Sequence, residues 1–361
     1  MSWRTPAERW AHAVWRRRGL TARLLWPLGL LHRAWRRFMG WRYQVGLARA
    51  SAVGVPVIVV GNLYVGGTGK TALAIALVRQ LAARGWHPGV VARGYGTSAG
   101  EARRFDPQGD VRQFGDEPLE IARATGVPVA VGRDRAAAAR LLARGGGAGP
   151  SQGQGDCDVI IADDGLQHYG LARDFEIAVV DDRGWGNGWL LPAGPLRDPP
   201  KRLAFVDAVV FNGAAPTVRV YSPFYALETE VREAWSLTRP SQRIALAELR
   251  RQQVDGKLQL LAACGIGNPR RFFQMLAAAG LDVEELALHD HYPYADDPFA
   301  ARRHDRVLIT EKDAVKCAVS PSIAQDPRIW VVPLHSRIDE RLIDLIESRI
   351  GKAPHDGPAP A

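Results

Sequence analysis

The chain has 361 residues, 47% hydrophobic and 24% charged, a globular composition with room for one large or two ordinary domains and unlike that of a disordered or fibrous protein. Its three cysteines, Cys157, Cys264 and Cys317, lie far apart with no C-x-x-C pair, which excludes a disulfide framework and reads as reduced thiols of a cytosolic compartment. The net charge of +9 is concentrated: residues 1–50 hold eleven arginines against one acid, Glu8, so the remainder is close to neutral.

Those first fifty residues also hold six of the eleven tryptophans: Trp3, Trp10, Trp15, Trp26, Trp35 and Trp41. Leu20, Leu24, Leu28, Leu31, Trp35 and Phe38 follow one another at spacings of 4, 4, 3, 4 and 3, which predicts one helical stripe. Pro27 is expected to kink or divide that helix. The longest uncharged apolar run there, Leu24 to Leu31, is too short to span a bilayer, and it does not read as a secretory signal. Basic residues interleaved with Trp and Leu suit a segment lying on an anionic membrane surface, with rings at headgroup level. Two other readings stay open: a helix pair packed on the protein's own core, and a nucleic-acid-binding arm. Six tryptophans argue against the last, which needs charge more than aromatic bulk.

Val57 to Val60 is a β-branched run leading into Gly61-Asn-Leu-Tyr-Val-Gly-Gly-Thr-Gly-Lys-Thr71 and then a helix-forming segment, Ala72 to Leu81. This is the sequence form of a phosphate-binding loop. Backbone N–H groups of Gly66, Gly67, Thr68 and Gly69 cradle phosphate oxygens, Lys70 reaches the terminal phosphates, and the Thr71 hydroxyl ligates Mg²⁺. The strict pattern wants Gly where Tyr64 stands.

A short strand running into a glycine-rich loop is then predicted over Pro88–Gly96, and strands at Val127–Val131, Val159–Ala162, Glu176–Val180 and Ala208–Phe211, with helices at Leu119–Ala124 and from Arg135 to about Ala143. Residues 97–115 and the Gly/Ser/Gln-rich 144–155 read as irregular or loop. Alternating strands and helices predict an α/β fold with a mainly parallel P-loop sheet carrying helices on both faces. Asn62, Arg93, Arg133, Asp163, Asp164 and Asp181 all sit just past strand ends, which would gather them on one rim. A second, smaller α/β unit follows: a strand at Leu258–Ala262, a helix at Arg270–Ala279, and strands at Arg306–Ile309 and Ile329–Val332. The expected organisation is therefore 1–50 basic amphipathic helices, 51–216 nucleotide-binding domain, 217–257 extended linker, 258–350 smaller domain and 351–361 disordered tail.

Asp163 and Asp164 follow an apolar strand, where a P-loop protein places the carboxylate that holds Mg²⁺. The other reading is a capping or turn pair. Asp116, in Gly115-Asp-Glu-Pro118, either accepts a proton from an attacking hydroxyl or caps a helix. His291, beside Asp290, is either a general base or part of a surface turn. Arg93, Arg133 and Arg135 either clamp anionic groups or are solvated charge.

Taken together, Gly61-Asn-Leu-x-Val-Gly-Gly-Thr-Gly-Lys-Thr71, Arg93-Gly-Tyr95, Gly115-Asp-Glu-Pro118, Asp163-Asp-Gly-Leu-Gln-His168, Leu191-Pro-Ala-Gly-Pro-Leu-Arg-Asp-Pro199, Asp290-His-Tyr292 and Thr310-Glu-Lys-Asp313 closely resemble the tetraacyldisaccharide 4'-kinases of lipid A biosynthesis. The resemblance runs in order over roughly residues 20–335 and removes the objection to Tyr64. It departs at Ala92, where a Ser often precedes Arg-Gly-Tyr. It implies transfer of the ATP γ-phosphate to the 4'-hydroxyl of an acylated glucosamine disaccharide 1-phosphate, at the cytoplasmic face of the bacterial inner membrane. It further implies Asp116 and His291 as the dyad that activates the hydroxyl, and Thr71, Asp163 and Asp164 as the Mg²⁺ residues. Asn62, Arg93, Arg133, Arg135, Gln167 and His168 are the expected substrate contacts. No nucleic-acid or protein partner is called for. The competing class is a membrane-associated switch ATPase of the partitioning type; those carry a second lysine where this chain has Val65.

Overall fold

The computed structural model describes residues 6–93, 101–105, 114–143, 157–213, 220–256 and 258–351. Gly94 and Tyr95, most of the stretch 97–115, the whole of the loop 144–155 and the tail beyond Gly351 lie outside the described residues.

The chain forms two compact units, His12–Glu228 with Arg337–Ala361, and Thr229–Ser336 with Met1–Ala11. The larger is built on a nine-stranded sheet. Its strands are β1 (Val57–Asn62), β2 (Pro88–Ala92), β3 (Arg103–Arg104), β4 (Val129–Val131), β5 (Val159–Ala162), β6 (Phe175–Asp181), β7 (Ala208–Asn212) and β8 (Phe224–Glu230), with β15 (His335–Ile338) returning late in the chain. They are ordered β15-β8-β7-β6-β1-β5-β2-β4-β3. The central strands pair in parallel, and β3 runs against its neighbour β4. All six residues of β1 are buried, as expected of a strand covered on both faces. Alternate side chains serve two cores: Ile58, Val60, Ile161 and Ile177 on one face, Val57, Val59, Ile160 and Val180 on the other.

Helices cover both faces. The first core takes α3 (Lys70–Ala83), α4 (Asp116–Thr125) and the last helix, α9 (Glu340–Ile350); the second takes α5 (Arg135–Arg140), which starts where Asp134 accepts hydrogen bonds from the N–H groups of Ala136 and Ala137. The helix α9 starts on an Asp339 cap and buries Leu342, Ile343 and Ile346 beside Leu73 and Leu77. It was expected in the smaller domain. Its core-facing triad matches the uncovered face of the large sheet, and Trp86 Nε1 and Arg84 donate to Glu347.

At the start of the chain stand α1 (Pro6–Arg16) and α2 (Leu20–Gln44). The break falls at residues 17–19, and α2 runs unbroken through Pro27, so the proline does not divide it. The face of α2 against the protein is small and polar. Ala22 and Gly29 are buried, His32 and Arg36 make long-range hydrogen bonds, and Tyr43 packs on Tyr169. The apolar stripe points away: Leu20, Leu24, Leu28, Leu31, Trp35 and Phe38 are all exposed. Packing of that stripe on the protein's own core is thereby excluded. No described helix is long and apolar enough to cross a membrane.

The smaller unit has six strands, ordered β10-β9-β14-β13-β11-β12: β9 (Glu233–Ser236), β10 (Arg243–Ala245), β11 (Leu260–Cys264), β12 (Glu284–Ala287), β13 (Arg306–Thr310) and β14 (Ile329–Val332). The last four are parallel, and β9 and β10 add an antiparallel edge. Its helices are α6 (Leu246–Val254), α7 (Pro269–Ala278) and α8 (Glu311–Cys317). The segment 217–257 is therefore not a linker: it supplies β8 to one sheet and β9, β10 and α6 to the other. These short edge strands alternate charged and apolar residues, so they lack the continuous apolar run that marks the buried strands.

Candidate active site

The carboxyl ends of the parallel strands form one rim. Asn62 ends β1, Arg93 follows β2, Arg133 follows β4, Asp163 and Asp164 follow β5, Asp181 ends β6 and Asn212 ends β7. Between β1 and α3 the loop 63–69 turns twice through left-handed glycines, Gly66 at φ 96° and Gly69 at φ 91°. A Cβ on Gly69 would sit 1.9 Å from Asn212 Nδ2, so only glycine fits there.

A loop whose N–H groups face a ligand turns carbonyls inward, and these need donors. Asn62 supplies one. Its Nδ2 donates to the Tyr64 carbonyl at 2.7 Å and the Thr68 hydroxyl at 2.8 Å, and the side chain is fully buried. Asn62 is thus a brace beneath the loop and not a substrate contact. Asn212 Nδ2 donates to the Thr68 carbonyl at 2.8 Å, and Arg183, held by Asp181, donates to the Gly67 carbonyl at 2.7 Å. Neither Asn212 nor Arg183 was singled out in the sequence; their positions at and after strand ends are the only signal. Tyr64, where the strict pattern has glycine, is buried with the Arg183 guanidinium 4.5 Å over its ring.

The charged groups gather at the start of α3. Lys70 Nζ lies 3.5 Å from Asp164 Oδ1, and Thr71 Oγ1 lies 3.5 Å from Asp163 Oδ2. Arg197 Nη1 meets both oxygens of Asp164, at 2.8 and 2.9 Å. Its own segment runs along the loop, with the Arg197 N–H donating to the Leu63 carbonyl at 2.7 Å and the Val65 N–H to that of Pro195 at 2.9 Å. Burial opposes ionisation of Asp164, but Lys70 and Arg197 overcome it and hold the carboxyl well below the usual carboxylate range. Asp163 goes the other way. Burial pushes it up to about 7, nearby Glu117 adds to the rise, and Lys70 and Arg135 oppose it. The two adjacent carboxyls are thus shifted in opposite directions, Asp164 down by its two cations and Asp163 up chiefly by burial.

Arg135 is buried and donates to the Asp163 carbonyl at 3.3 Å; burial lowers it to about 10. His168 is lowered to about 4, by burial first and then by Arg135 and Arg93. Gln167 Nε2 donates to the Asn62 carbonyl at 3.0 Å and to Asp198 Oδ2 at 2.9 Å. Arg93 and Arg133 are exposed at the rim. Asp116 is the first residue of α4, largely buried, behind a left-handed Gly115; its neighbour Glu117 is felt electrostatically at Asp163.

His291 stands on the smaller unit, in a left-handed conformation at φ 57°. Its N–H donates to the Gly265 carbonyl at 3.1 Å, and its side chain is partly exposed with Nε2 3.8 Å from Asp290 Oδ1. Lys312 Nζ lies 3.9 Å from the same oxygen. The following Asp313 is fully buried and accepts from the Gly265 N–H at 3.1 Å and the Thr310 hydroxyl at 2.6 Å.

The sequence and the fold have counterparts among known proteins. The profile of a family described as "Tetraacyldisaccharide-1-P 4'-kinase" matches residues 21–351. A tetraacyldisaccharide 4'-kinase of Herminiimonas arsenicoxydans is 45% identical over 356 residues, covering 96% of this chain and 97% of the relative. One of Bordetella parapertussis is 46% identical over 332 residues, covering 90% and 91%. The fold matches that of LpxK from Aquifex aeolicus, whose crystal structure was solved in complex with ATP, with a TM-score of 0.74 at 24% identity over 92% of this chain and all of the other. On the length of the profile match and the identity to these relatives, the chain belongs to the tetraacyldisaccharide 4'-kinase family, the phosphotransferases of lipid A biosynthesis.

Proposed function

We infer that the chain moves the γ-phosphate of ATP to the 4'-hydroxyl of a tetraacylated glucosamine disaccharide 1-phosphate, working at an anionic membrane surface on the cytoplasmic side. The observation that carries this reading is the cluster at the start of α3, where Lys70, Thr71, Asp163, Asp164 and Arg197 surround a glycine loop braced from beneath. The ATP in the Aquifex aeolicus structure supports the nucleotide.

Phosphoryl transfer needs positioning and charge neutralisation more than covalent chemistry from the protein. The loop N–H groups and Lys70 hold the phosphates. Arg197 fixes Asp164, and Asp164 in turn holds the Lys70 ammonium at the phosphate site. Thr71 and Asp163 suit Mg²⁺, which takes one or two protein oxygens and completes its shell with phosphate and water. When bound, the ion would neutralise charge on the β- and γ-phosphates. Asp164 is already saturated by two cations, which leaves Asp163 as the better donor. The acceptor hydroxyl attacks the γ-phosphorus, its proton passes to Asp116, and the bond to the β,γ-bridging oxygen breaks to leave ADP. His291, carried by the smaller unit, is the second member of the dyad that activates the hydroxyl. Arg93, Arg133, Arg135 and His168 line the anionic acceptor.

The acceptor's chains sit in a bilayer, at about 0.8 kcal/mol per buried CH₂, so the enzyme must come to the surface. The exposed stripe of α2, set among arginines, supports contact with anionic lipid.

The test is ³²P transfer from γ-labelled ATP to the tetraacyl disaccharide 1-phosphate in detergent with Mg²⁺. Labelled lipid is expected, and is expected to disappear in Lys70→Ala. ATP turnover without labelled lipid would indicate a switch ATPase. Asp116→Ala and His291→Ala are each expected to lower turnover by two orders of magnitude or more, about the worth of general-base catalysis; wild-type turnover in either would remove the dyad.

A further inference from the structure

Two residues of α2, one turn apart, reach into the site. Arg36 makes a two-pronged bond to Asp198, Nε to Oδ1 at 2.9 Å and Nη2 to Oδ2 at 3.1 Å. Asp198 Oδ2 also accepts from Gln167 Nε2 at 2.9 Å, and the same amide donates to the carbonyl of Asn62, the brace of the phosphate loop. His32 Nε2 donates to the carbonyl of Arg197 at 3.1 Å, and the Arg197 side chain grips Asp164. Two short chains of hydrogen bonds therefore run from one helix face, one to the loop and one to the carboxylate that holds Lys70.

A helix that only had to be attached would need no such link. A guanidinium and a carboxylate this close to full burial, 15% and 5% exposed, lose hydration comparable to what their attraction returns. Apolar contacts of the kind that seat α9 would attach α2 at less cost. What a two-pronged bond adds is direction: it fixes where Asp198 points, and through it Gln167. The arrangement also resembles the outer partners of ligating residues at other phosphate and metal sites, which orient groups they do not replace.

We propose that Arg36 and His32 of α2 are positioning residues of the kinase site, acting through Asp198–Gln167 on the phosphate loop and through Arg197 on Asp164. The proposal rests on the kinase reading above. It ties a helix with an exposed apolar face to the nucleotide end of the reaction, in addition to any role in finding the lipid.

The test uses the full chain and separates the two readings. Steady-state kinetics in detergent, sedimentation with phosphatidylglycerol-containing vesicles and thermal melting are measured for wild type, Arg36→Met, Asp198→Asn and the double variant. Arg36→Met is expected to lower kcat by about tenfold or more, the usual cost of losing an outer partner, with KM for the lipid and vesicle binding little changed. The double variant is expected to lose no more than the worse single one, because both break one link. Wild-type kcat in Arg36→Met, or losses that multiply in the double variant, would overturn the proposal. Should Arg36→Met lack a native melt, Arg36→Lys carries the test, since it keeps the charge but not the two-pronged bond: a lower kcat with native melting supports the proposal, and an unchanged kcat overturns it. A wild-type chain that labels no lipid would instead sink the kinase reading itself.

Discussion

Helices α2 and α9 are both amphipathic, yet they use their faces in opposite ways. In α9 the apolar residues Leu342, Ile343 and Ile346 enter the core of the larger unit, and the charged residues stay at its edge. In α2 the apolar stripe is outside, and the protein is met by Ala22, Gly29, His32 and Arg36. Gly29 lets the helix come close enough that a Cβ there would lie 3.3 Å from the Leu190 carbonyl. A hydrophobic period thus says that a helix has two faces, not which of them meets protein. Where the docked face is small and hydrogen-bonded, the apolar face is left outside, free for the lipid contact proposed above.

The largest effect is expected on the exposed stripe. Leu24, Leu28 and Leu31 changed together to Ser should weaken binding to anionic vesicles by at least about a hundredfold, since each buried Leu is worth about 1.5–3 kcal/mol. Vesicle sedimentation checks this, and undiminished binding would end the membrane role of α2. Point changes are better here than removal of residues 1–45, which would also take away Arg36 and His32. On α9, Ile343→Ala should cost about 2–5 kcal/mol in urea unfolding, the range for emptying a packed core site; a loss under 1 kcal/mol would mean that α9 is not seated as described.

Gly29→Leu forces a side chain between α2 and Leu190–Ala193 and should cost about 1–3 kcal/mol, whereas Leu31→Ala, on the outward face, should stay within about 0.5 kcal/mol. Equal losses at the two positions would show that both faces of α2 are packed. A pH-dependent effect probes the ground under α2, where Tyr169 packs on Arg36 and His168 is its neighbour. His168 is lowered from its ordinary 6.5 to about 4, so the folded chain refuses a proton that the unfolded chain accepts. Its contribution to stability is full above pH 6.5 and fades as pH falls through 4. Urea melts of wild type and His168→Gln should therefore draw together between pH 7.5 and about 4.5; a constant gap would mean that the imidazole is not held neutral.

Much of the site was legible because its parts are contiguous. The β-branched run, the glycines and Gly69-Lys70-Thr71 lie in one string, and Asp163-Asp164 ends another apolar run. Arg197 and Asp198 stood in a recognised string, but nothing local gave them partners. Asn62 was misplaced for a related reason: a polar residue at a strand end is equally well placed to face a ligand or to brace the loop above it. Arg36 left no signal at all, since its partner lies 162 residues away and it is one of eleven arginines in its segment. The edge strands and α9 were missed or misassigned because their burial is partial, and a period does not name the sheet it will cover.

The buried parallel strands, the phosphate loop, the family and an amphipathic first segment follow from the sequence alone, because each is a property of neighbouring residues and their spacing. Only the tertiary structure decided which face of α2 looks outward, which unit receives α9, and which cations hold Asp164 down while burial lifts Asp163. Those are sums over groups distant in the chain, and a string of residues does not state which distant groups will share one rim.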